Sequence, residues 1–480
     1  MVATDGLNGV GTGSGKRIPR LEGLRGLLAA GVLVYHVAFM AGITSFVQQP
    51  GDGVWGVLAD GLGVMLPPFF VLSGLFLYRP FARATLTREA RPAVGRFLLR
   101  RALRILPLYW LIAVVGLLTI NLFNIDSIGD VLRPLLLVHF FWAAGQPMFG
   151  LEHTWTVTAE ISFYLAIPVL AWLGHRYARR ADDPARRARR MLLPVALFAL
   201  AGLAWVVYTR IPSLVGSFSF EQYFWPLHYL HYFAAGMALA VASAYAEATS
   251  RQPSIHRLTA RWPGLLWLVA LATYAVYGLK PFGAPVPGAW SGFVYEMSGI
   301  VAASLFGVAI VLLTTVANSG TRALDAVLGN RPLRYLGRIS YGVYLWHVLV
   351  IEYWFSNGAL FGGPAVASVQ WRGTAGFWEL LAFTAVLTFV AAAAGYHLLE
   401  RPVARLAGRR TSGSAPAPVT PAPVAAADGG APVTSTAPVT STAPVTSAAP
   451  ATSTAPATST APAAGAAVPA ITDTAPSAPR

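Results

Sequence analysis

LEGLRGLLAAGVLVYHV, residues 21–37, is the stretch that decides the fold. Its apolar composition predicts a membrane-spanning helix, yet it contains Arg25 and His36. The two residues are about 16 Å apart along a helix, which is over half of a hydrocarbon core about 30 Å thick. Ionisable groups inside a span usually face a partner or a watery cavity. The alternative is that Arg25 extends to the interface and that His36 is a packed polar residue.

The whole chain has the composition of a polytopic membrane protein. Of its 480 residues, 55% are hydrophobic and only 11% are charged, whereas soluble domains have about 25% charged residues. The polar, Gly-rich opening has no apolar core of a cleavable signal peptide, so the first span is expected to act as an uncleaved anchor. The chain has no cysteine, which excludes disulfides, thiolate metal sites and a cysteine nucleophile. We predict no metal site.

Hydropathy predicts an all-α fold, a membrane bundle of about ten transmembrane helices. The predicted spans are 21–42, 60–79, 105–123, 160–175, 191–209, 227–246, 263–280, 297–317, 340–356 and 378–399. In the second span, Pro67 and Pro68 interrupt helical hydrogen bonding, so the helix is expected to break or to begin there. The apolar piece Val131–Ala144 is too short for a span and is compatible with a re-entrant segment.

The distribution of the arginines predicts the direction in which each span crosses the membrane. The net charge is +15, and the basic residues concentrate in alternate connections, namely 79–104, 176–190, 247–262 and 318–339. The positive-inside rule therefore predicts a multi-pass protein of the cell membrane with both termini in the cytoplasm. No basic segment with interleaved aromatic residues stands apart from the spans, so nucleic-acid binding is not expected.

The chain is expected to have three parts: a disordered cytoplasmic N-terminus (1–20), a transmembrane domain (21–402) and a tail (411–480). In the tail, residues 431–462 repeat hexapeptides of the type APVTST. Proline in every repeat and the absence of large apolar side chains predict a disordered tether. The alternative, a glycosylated stalk, would require an external location and disagrees with the predicted topology.

RRALRILPLY, residues 100–109, places three arginines at the basic end of the third span. Arg100 and Arg101 lie four and three residues before Arg104, so the three guanidinium groups are expected to converge. Pro107 suits a helix start, where cations oppose the helix dipole. A bound anion would relieve this conflict, and guanidinium groups suit phosphate. The alternative is an ordinary positive-inside anchor.

HTWTVTAEISFYL, residues 153–165, places Glu160 near the external end of the fourth span. His36 also lies in the external half of its span, so a His–Glu pair is geometrically possible. In such a pair the carboxylate orients the imidazole, as general-base catalysis requires. The alternative is that Glu160 and His36 are two unrelated interfacial polar residues.

Two further stretches carry polar or small residues inside spans. FFVLSG, residues 69–74, ends in Ser73 and Gly74, which are typical of close helix packing. YLGRISYGVYLWH, residues 335–347, opens the ninth span and ends at His347. His347 either lines the same cavity as His36 or is a satisfied core histidine, and its position alone favours the second interpretation.

Together these stretches resemble the acyltransferase-3 family of integral membrane O-acyltransferases. The resemblance covers residues 21–402 in family order, through Arg25 with His36, FFVLSG, RRALRILPLY, HTWTVTAE, YLGRISYGVYLWH and the ERP at 400–402. It implies transfer of an acyl group, often acetyl, from cytoplasmic acyl-CoA to a hydroxyl of a sugar, glycolipid, peptidoglycan or macrolide. Several family members carry an extracytoplasmic hydrolase-like domain, whereas only the repeat tail follows the last predicted span here, so no mechanism that needs such a domain is expected.

The resemblance also implies roles for particular residues. His36 matches the essential histidine of the family, Glu160 matches a recurrent acidic position, and Arg25 matches the basic residue associated with the acyl donor. The arginine motif that meets the CoA phosphates is matched by Arg100, Arg101 and Arg104. Ser73 and His347 are further candidates for the substrate pocket.

The predicted function is therefore transfer of an acyl group from acyl-CoA to a glycan, a glycolipid or a small metabolite such as a macrolide, with His36 as general base and Glu160 as its orienter. An acyl-histidine intermediate stays open. A proton-coupled transporter or flippase is the alternative class, since such carriers also use intramembrane ionisable residues. Against it, the two halves show no internal repeat. A sensor whose tail recruits partners is a third class, but the tail lacks a defined ligand motif.

Overall fold

The computed structural model describes residues 19–44, 51–141, 149–214, 220–282, 286, 288–316, 322–356 and 374–412, and these residues form only helices and connecting turns. The chain separates into two units, Met1–Ala415 and Pro416–Arg480. The second unit and residues 1–18 lie outside the described residues, as does the predicted disorder of both termini.

In the part of the chain that the structure describes, ten long helices form the bundle. They are α1 (Pro19–Met40), α2 (Pro67–Thr87), α3 (Val94–Leu118), α4 (Trp155–Ala178), α5 (Pro184–Arg210), α6 (Leu230–Thr249), α7 (Pro263–Leu279), α8 (Trp290–Thr315), α9 (Arg331–Phe355) and α10 (Thr374–Gly395). Short helices occupy Gly53–Gly61, Ile128–Leu135, Ser254–Arg261, Arg322–Gly329 and Arg401–Ser412. Single turns of 3₁₀ or π type occupy Leu62–Met65, Leu122–Asn124, His139–Phe141, Glu152–Thr154, Phe220–Phe224, Pro226–Tyr229 and Tyr396–Glu400.

Each of the ten predicted spans overlaps one long helix, and the all-α fold is confirmed. Within the described ranges, seven helical segments are long and apolar enough to cross a membrane, or eight if the bent pair Ser254–Arg261 and Pro263–Leu279 is one span. The long helices α6 and α9 are not among them. Both helices bury much of their surface against other helices, and a helix surrounded by protein does not need an apolar surface.

The second span begins at its prolines, as predicted. Pro67 and Pro68 occupy the first turn of α2, where a missing backbone N–H has no intrahelical partner to lose. A short helix and the turn Leu62–Met65 precede them. The apolar piece Val131–Ala144, which the sequence left compatible with a re-entrant segment, contributes to the eight-residue helix Ile128–Leu135 and contains the turn His139–Phe141. Its end at 142–144 lies outside the described residues.

The connections at the basic end are shorter than the predicted loops. Helix α2 continues to Thr87 and α3 begins at Val94, although hydropathy ended the spans at the first arginines. The prediction that Pro107 marks a helix start is wrong, because Pro107 lies inside α3. Arg100 is the seventh residue of that helix, so the dipole conflict inferred for the arginines does not apply, since the dipole effect is confined to the first turn.

Contacts between connections agree with the alternation of the spans. At the basic end, Arg20 pairs with Asp325, and Arg88 pairs with Asp182 at 3.3 Å. At the opposite end, Lys280 pairs with Asp60 at 2.9 Å and Arg210 with Glu296 at 3.6 Å. Each of these four pairs joins segments that the sequence assigned to the same side of the membrane.

Glycines set the closest helix crossings. A Cβ at Gly337 of α9 would lie 1.8 Å from the carbonyl oxygen of Glu22 in α1, so the two backbones are in contact there. Gly74 of α2 packs in the same way against α6, next to Gly236, which confirms the close packing predicted from FFVLSG. The crossing of α1 and α9 brings the helices of His36 and His347 together.

Candidate active site

His36 and His347 form a pair of rings where α1 and α9 run side by side. The Nε2 atom of His347 lies 3.3 Å from Nδ1 of His36, and the ring centroids are 4.9 Å apart. His347 is fully buried, and its Nδ1 lies 2.6 Å from the carbonyl oxygen of Tyr344. His36 Nδ1 lies 2.9 Å from the carbonyl oxygen of Val32.

These contacts assign the tautomers of both rings. A carbonyl oxygen only accepts hydrogen bonds, so His347 carries its proton on Nδ1 and donates it to Tyr344. Its Nε2 therefore has a lone pair. His36 also carries its proton on Nδ1, which it shares between the Val32 carbonyl and His347 Nε2. The lone pair of His36 is consequently on Nε2, the nitrogen that these two contacts leave unused.

His36 lines a cavity of about 430 Å³, a size within the usual range for small-molecule sites. The cavity reaches the end of the bundle opposite the arginines, because Lys280 and Glu296 line it. One part of its wall is aromatic, with Trp155 stacked on Tyr229 at 4.4 Å between ring centroids. Another part of the wall is lined by Tyr35, Tyr277 and Tyr295.

Glu160 lies buried in α4 and belongs to a different set of contacts. Ser73 Oγ donates to Glu160 Oε1 at 3.0 Å, and the Tyr164 hydroxyl donates to Oε2 at 3.1 Å. The sequence predicted Glu160 as the residue that orients His36. The contacts of His36 Nδ1 are instead with the carbonyl oxygen of Val32 and with His347 Nε2. His153, which lies beside His347, precedes Glu160 by seven residues, or about 10 Å along a helix, so Glu160 is deeper in the bundle than the histidines.

Two of the three arginines in RRALRILPLY face the bundle interior. Arg104 is close enough to Arg25 to act on it electrostatically, and Arg101 and Arg104 both act on Tyr164. Arg25 is buried and donates from Nη2 to Ser340 Oγ at 2.9 Å. Arg100 is exposed and bonds back to the Arg96 carbonyl. Adjacent helical residues point about 100° apart, which separates Arg100 from Arg101.

The structure adds residues that the sequence analysis gave no role. His153 and Tyr344 line the cavity beside His36, and Tyr164 joins Glu160 to the arginines. His139 supports the segment before α4 through Thr154, whose Oγ1 lies 3.1 Å from its Nε2. Burial lowers the pKa of His139 to about 4, so this ring is neutral at neutral pH. His153 stands in the quoted HTWTVTAE motif, and only its level in the bundle reveals its place beside His347.

Comparison with known proteins identifies the class to which this arrangement belongs. The sequence profile of the acyltransferase-3 family, described as an acyltransferase domain, matches residues 18–397. The chain belongs to this family, and it is a membrane acyltransferase whose transferred group is not aminoacyl.

Three relatives are named as acyltransferases. Acyltransferase MdmB of Streptomyces mycarofaciens is 28% identical over 84% of this chain and 96% of its own length. Peptidoglycan O-acetyltransferase OatA of Listeria monocytogenes is 21% identical over 70% of this chain and 50% of its own length. O-acetyltransferase OatA of Staphylococcus aureus is 25% identical over 71% of this chain and 51% of its own length. The chain thus spans about half the length of the two OatA proteins. No solved structure matches it.

Proposed function

We propose that the protein transfers an acyl group, acetyl in the first instance, from acyl-CoA to a hydroxyl of a carbohydrate or glycoconjugate. The observation that carries this proposal is the placement of His36, whose Nε2 lone pair is left unused in the wall of a cavity. The arginine cluster lies toward the other end of the bundle. A small hydroxylated metabolite is a second acceptor class, favoured by the cavity volume of about 430 Å³.

The donor would bind at the basic end. Arg101 and Arg104 would hold the CoA phosphates, since guanidinium groups match phosphate geometry. The pantetheine arm would pass Arg25 and the Glu160 network toward His36. Arg100, being exposed on another face of α3, would take no part. In this arrangement both termini are cytoplasmic, and the acceptor enters from the opposite side of the membrane.

The chemical step follows from the tautomer of His36. Its Nε2 takes the proton of the acceptor hydroxyl as the hydroxyl oxygen attacks the thioester carbon. The C–S bond then breaks, and the thiolate leaves with the proton from His36. Meanwhile the positive charge on the imidazolium is stabilised through Nδ1–H by His347 Nε2 and the Val32 carbonyl. An acyl-histidine route would use the same lone pair to attack the carbonyl carbon directly.

Acyl transfer by the purified protein tests the proposal. The protein is reconstituted in liposomes and supplied with labelled acetyl-CoA and a cell-envelope glycan extract, with empty liposomes as the control. We expect CoA release that depends on the extract, and label in a hydroxyl ester of an acceptor. Absence of both CoA binding and CoA release would contradict the proposal, and substrate movement without acyl-CoA would favour the transporter class.

The two inward arginines are expected to determine donor affinity. Arg101→Gln and Arg104→Gln each remove a charged hydrogen-bond donor, a change of about 1.5–3 kcal/mol, so the KM for acyl-CoA should rise about 10- to 100-fold. Arg100→Gln is the matched control from the same motif and should change this KM less than about threefold. Steady-state kinetics at saturating acceptor measure both. Equal KM values in all three variants would contradict phosphate binding at this cluster.

His347 is expected to act as a positioning residue for His36. His347→Ala removes one of the two acceptors at His36 Nδ1 and leaves only the Val32 carbonyl. We expect kcat to fall about 10- to 100-fold, a part of the 10²- to 10⁴-fold that general-base catalysis contributes. His347→Gln keeps an acceptor oxygen for His36 and an N–H for the Tyr344 carbonyl, so it should recover most of kcat. The KM for acyl-CoA should stay within about threefold in both variants. Equal losses in the two variants would indicate a packing role only.

A further inference from the structure

His153 is a third histidine at the same level as His36 and His347. Its side chain is only 3% exposed, and it lines the cavity that His36 lines. Its ring centroid lies 5.0 Å from that of His347, and the His36 ring lies 4.9 Å from the same ring. His36 and His153 therefore both adjoin His347, and both reach the cavity.

The position of His153 is set by its backbone. Its carbonyl oxygen accepts a hydrogen bond from the Tyr344 hydroxyl at 2.6 Å, and Thr156 Oγ1 donates to that hydroxyl at 2.6 Å. The Tyr344 ring also packs against the imidazole at 5.1 Å between centroids. Helix α9 thus holds His153 in place through its backbone carbonyl and the face of its ring.

Neither ring nitrogen of His153 forms a hydrogen bond of ordinary length and angle with the residues that the structure describes. The carbonyls of Tyr344 and Leu345 act electrostatically on the ring from α9, but neither oxygen meets a ring nitrogen at hydrogen-bonding distance and angle. Buried polar groups nearly always have a hydrogen-bond partner. For a side chain in a cavity wall, that partner is expected to be a ligand.

We infer that His153 binds the carbonyl oxygen of the transferred acyl group, as the hydrogen-bond donor that stabilises the tetrahedral intermediate. This inference rests on the proposed function and names a residue that the function did not require. A neutral imidazole has one N–H to donate. Because His36 already supplies the base, a donor is the role that the reaction still needs on this side of the cavity.

The step balances with His153 unchanged. As the acceptor oxygen bonds to the carbonyl carbon, its proton moves to His36 Nε2 and the π electrons of the carbonyl move to its oxygen. The N–H of His153 donates to this oxyanion. When the carbonyl re-forms, the C–S bond breaks, and the thiolate takes the proton from His36. His153 neither gains nor loses a proton.

Two substitutions at His153 distinguish a hydrogen-bond donor from a residue that only packs. His153→Phe keeps a ring against His347 and Tyr344 but has no N–H, whereas His153→Gln keeps a donor. Removal of one oxyanion donor lowers kcat about 10²- to 10³-fold, so we expect that loss for His153→Phe, with the KM for acyl-CoA within about threefold. His153→Gln should recover at least about tenfold of the loss. If the phenylalanine variant does not fold, His153→Leu replaces it.

A matched control is His231→Leu. His231 is also buried, and neither of its ring nitrogens has a hydrogen-bond partner among the described residues, yet it is not part of the cavity wall. Its kcat should stay within about threefold of wild type. A similar kcat for His153→Phe, or equal losses in the phenylalanine and glutamine variants, would overturn the inference. Wild-type protein without acyl transfer would instead overturn the proposed function.

Discussion

His36→Ala is expected to fold normally and to lose acyl transfer by about 10²- to 10⁴-fold, the usual contribution of a general base. The side chain is half-buried and lines an existing cavity, so its removal enlarges space that is already open and should cost little stability. The measurement is transfer of label from acetyl-CoA to the acceptor by equal amounts of purified variant and wild-type protein in lipid. Thermal unfolding in detergent confirms that the variant is folded.

The control for this variant is His256→Ala, which removes a histidine from the short helix Ser254–Arg261, away from the cavity. It should retain full activity. Normal transfer by a well-folded His36→Ala variant would contradict the assignment of the base.

The same pair of proteins distinguishes the two chemical routes. Labelled acetyl-CoA is mixed with protein in the absence of acceptor, and the reaction is quenched. Label on wild type but not on His36→Ala would indicate an acyl-histidine, whereas unlabelled protein with full transfer activity would indicate general-base catalysis.

Gly337→Ala is expected to destabilise the bundle more than any single change in the cavity. The new Cβ would lie 1.8 Å from the backbone carbonyl oxygen of Glu22, and neither backbone can move without separating α1 from α9. Overpacking usually costs about 1–3 kcal/mol, and a clash with backbone belongs at or above the top of that range. The variant should lose most of its folded yield, and the folded remainder should transfer poorly because the crossing places His36 beside His347.

Gly95→Ala is the matched control, since a Cβ at Gly95 of α3 meets no atom within 4 Å. Alanine is a better helix former than glycine, so this variant should be as stable as wild type or slightly more so. The measurement is the melting temperature in detergent together with the monodisperse fraction after purification. A melting temperature of Gly337→Ala equal to that of Gly95→Ala would contradict the close crossing.

The arginines of α3 show how far the spacing of residues along a helix predicts a site. Their spacing of three and four residues predicts neighbours on one helix face, and that holds for Arg101 and Arg104 beside Tyr164. Arg100 faces outward instead, because the side of α3 that meets the bundle depends on α4 and α9. Spacing alone selects residues that share a face but does not show which face is buried.

Local physical properties of the chain were enough to determine several features. Apolar composition placed all ten long helices, the Pro67–Pro68 pair placed the start of α2, and the distribution of arginines grouped the connections into two sets that the ion pairs at each end respect. Motif order was enough to identify the family. Each of these features depends on residues close together in the chain or on sums over segments, so no knowledge of packing was needed.

The tertiary structure alone decided how the site is assembled. His36 meets His347 across 311 residues of sequence, and Glu160 meets Ser73 across 87. Such contacts depend on the relative depth of helices that the chain does not join directly, and one helical turn moves a side chain by about 5.4 Å. The sequence therefore predicts His36 and Glu160 as candidates for the chemical step. Only the packing of α1 against α9, through Gly337, places His347 rather than Glu160 next to His36 and places His153 beside His347.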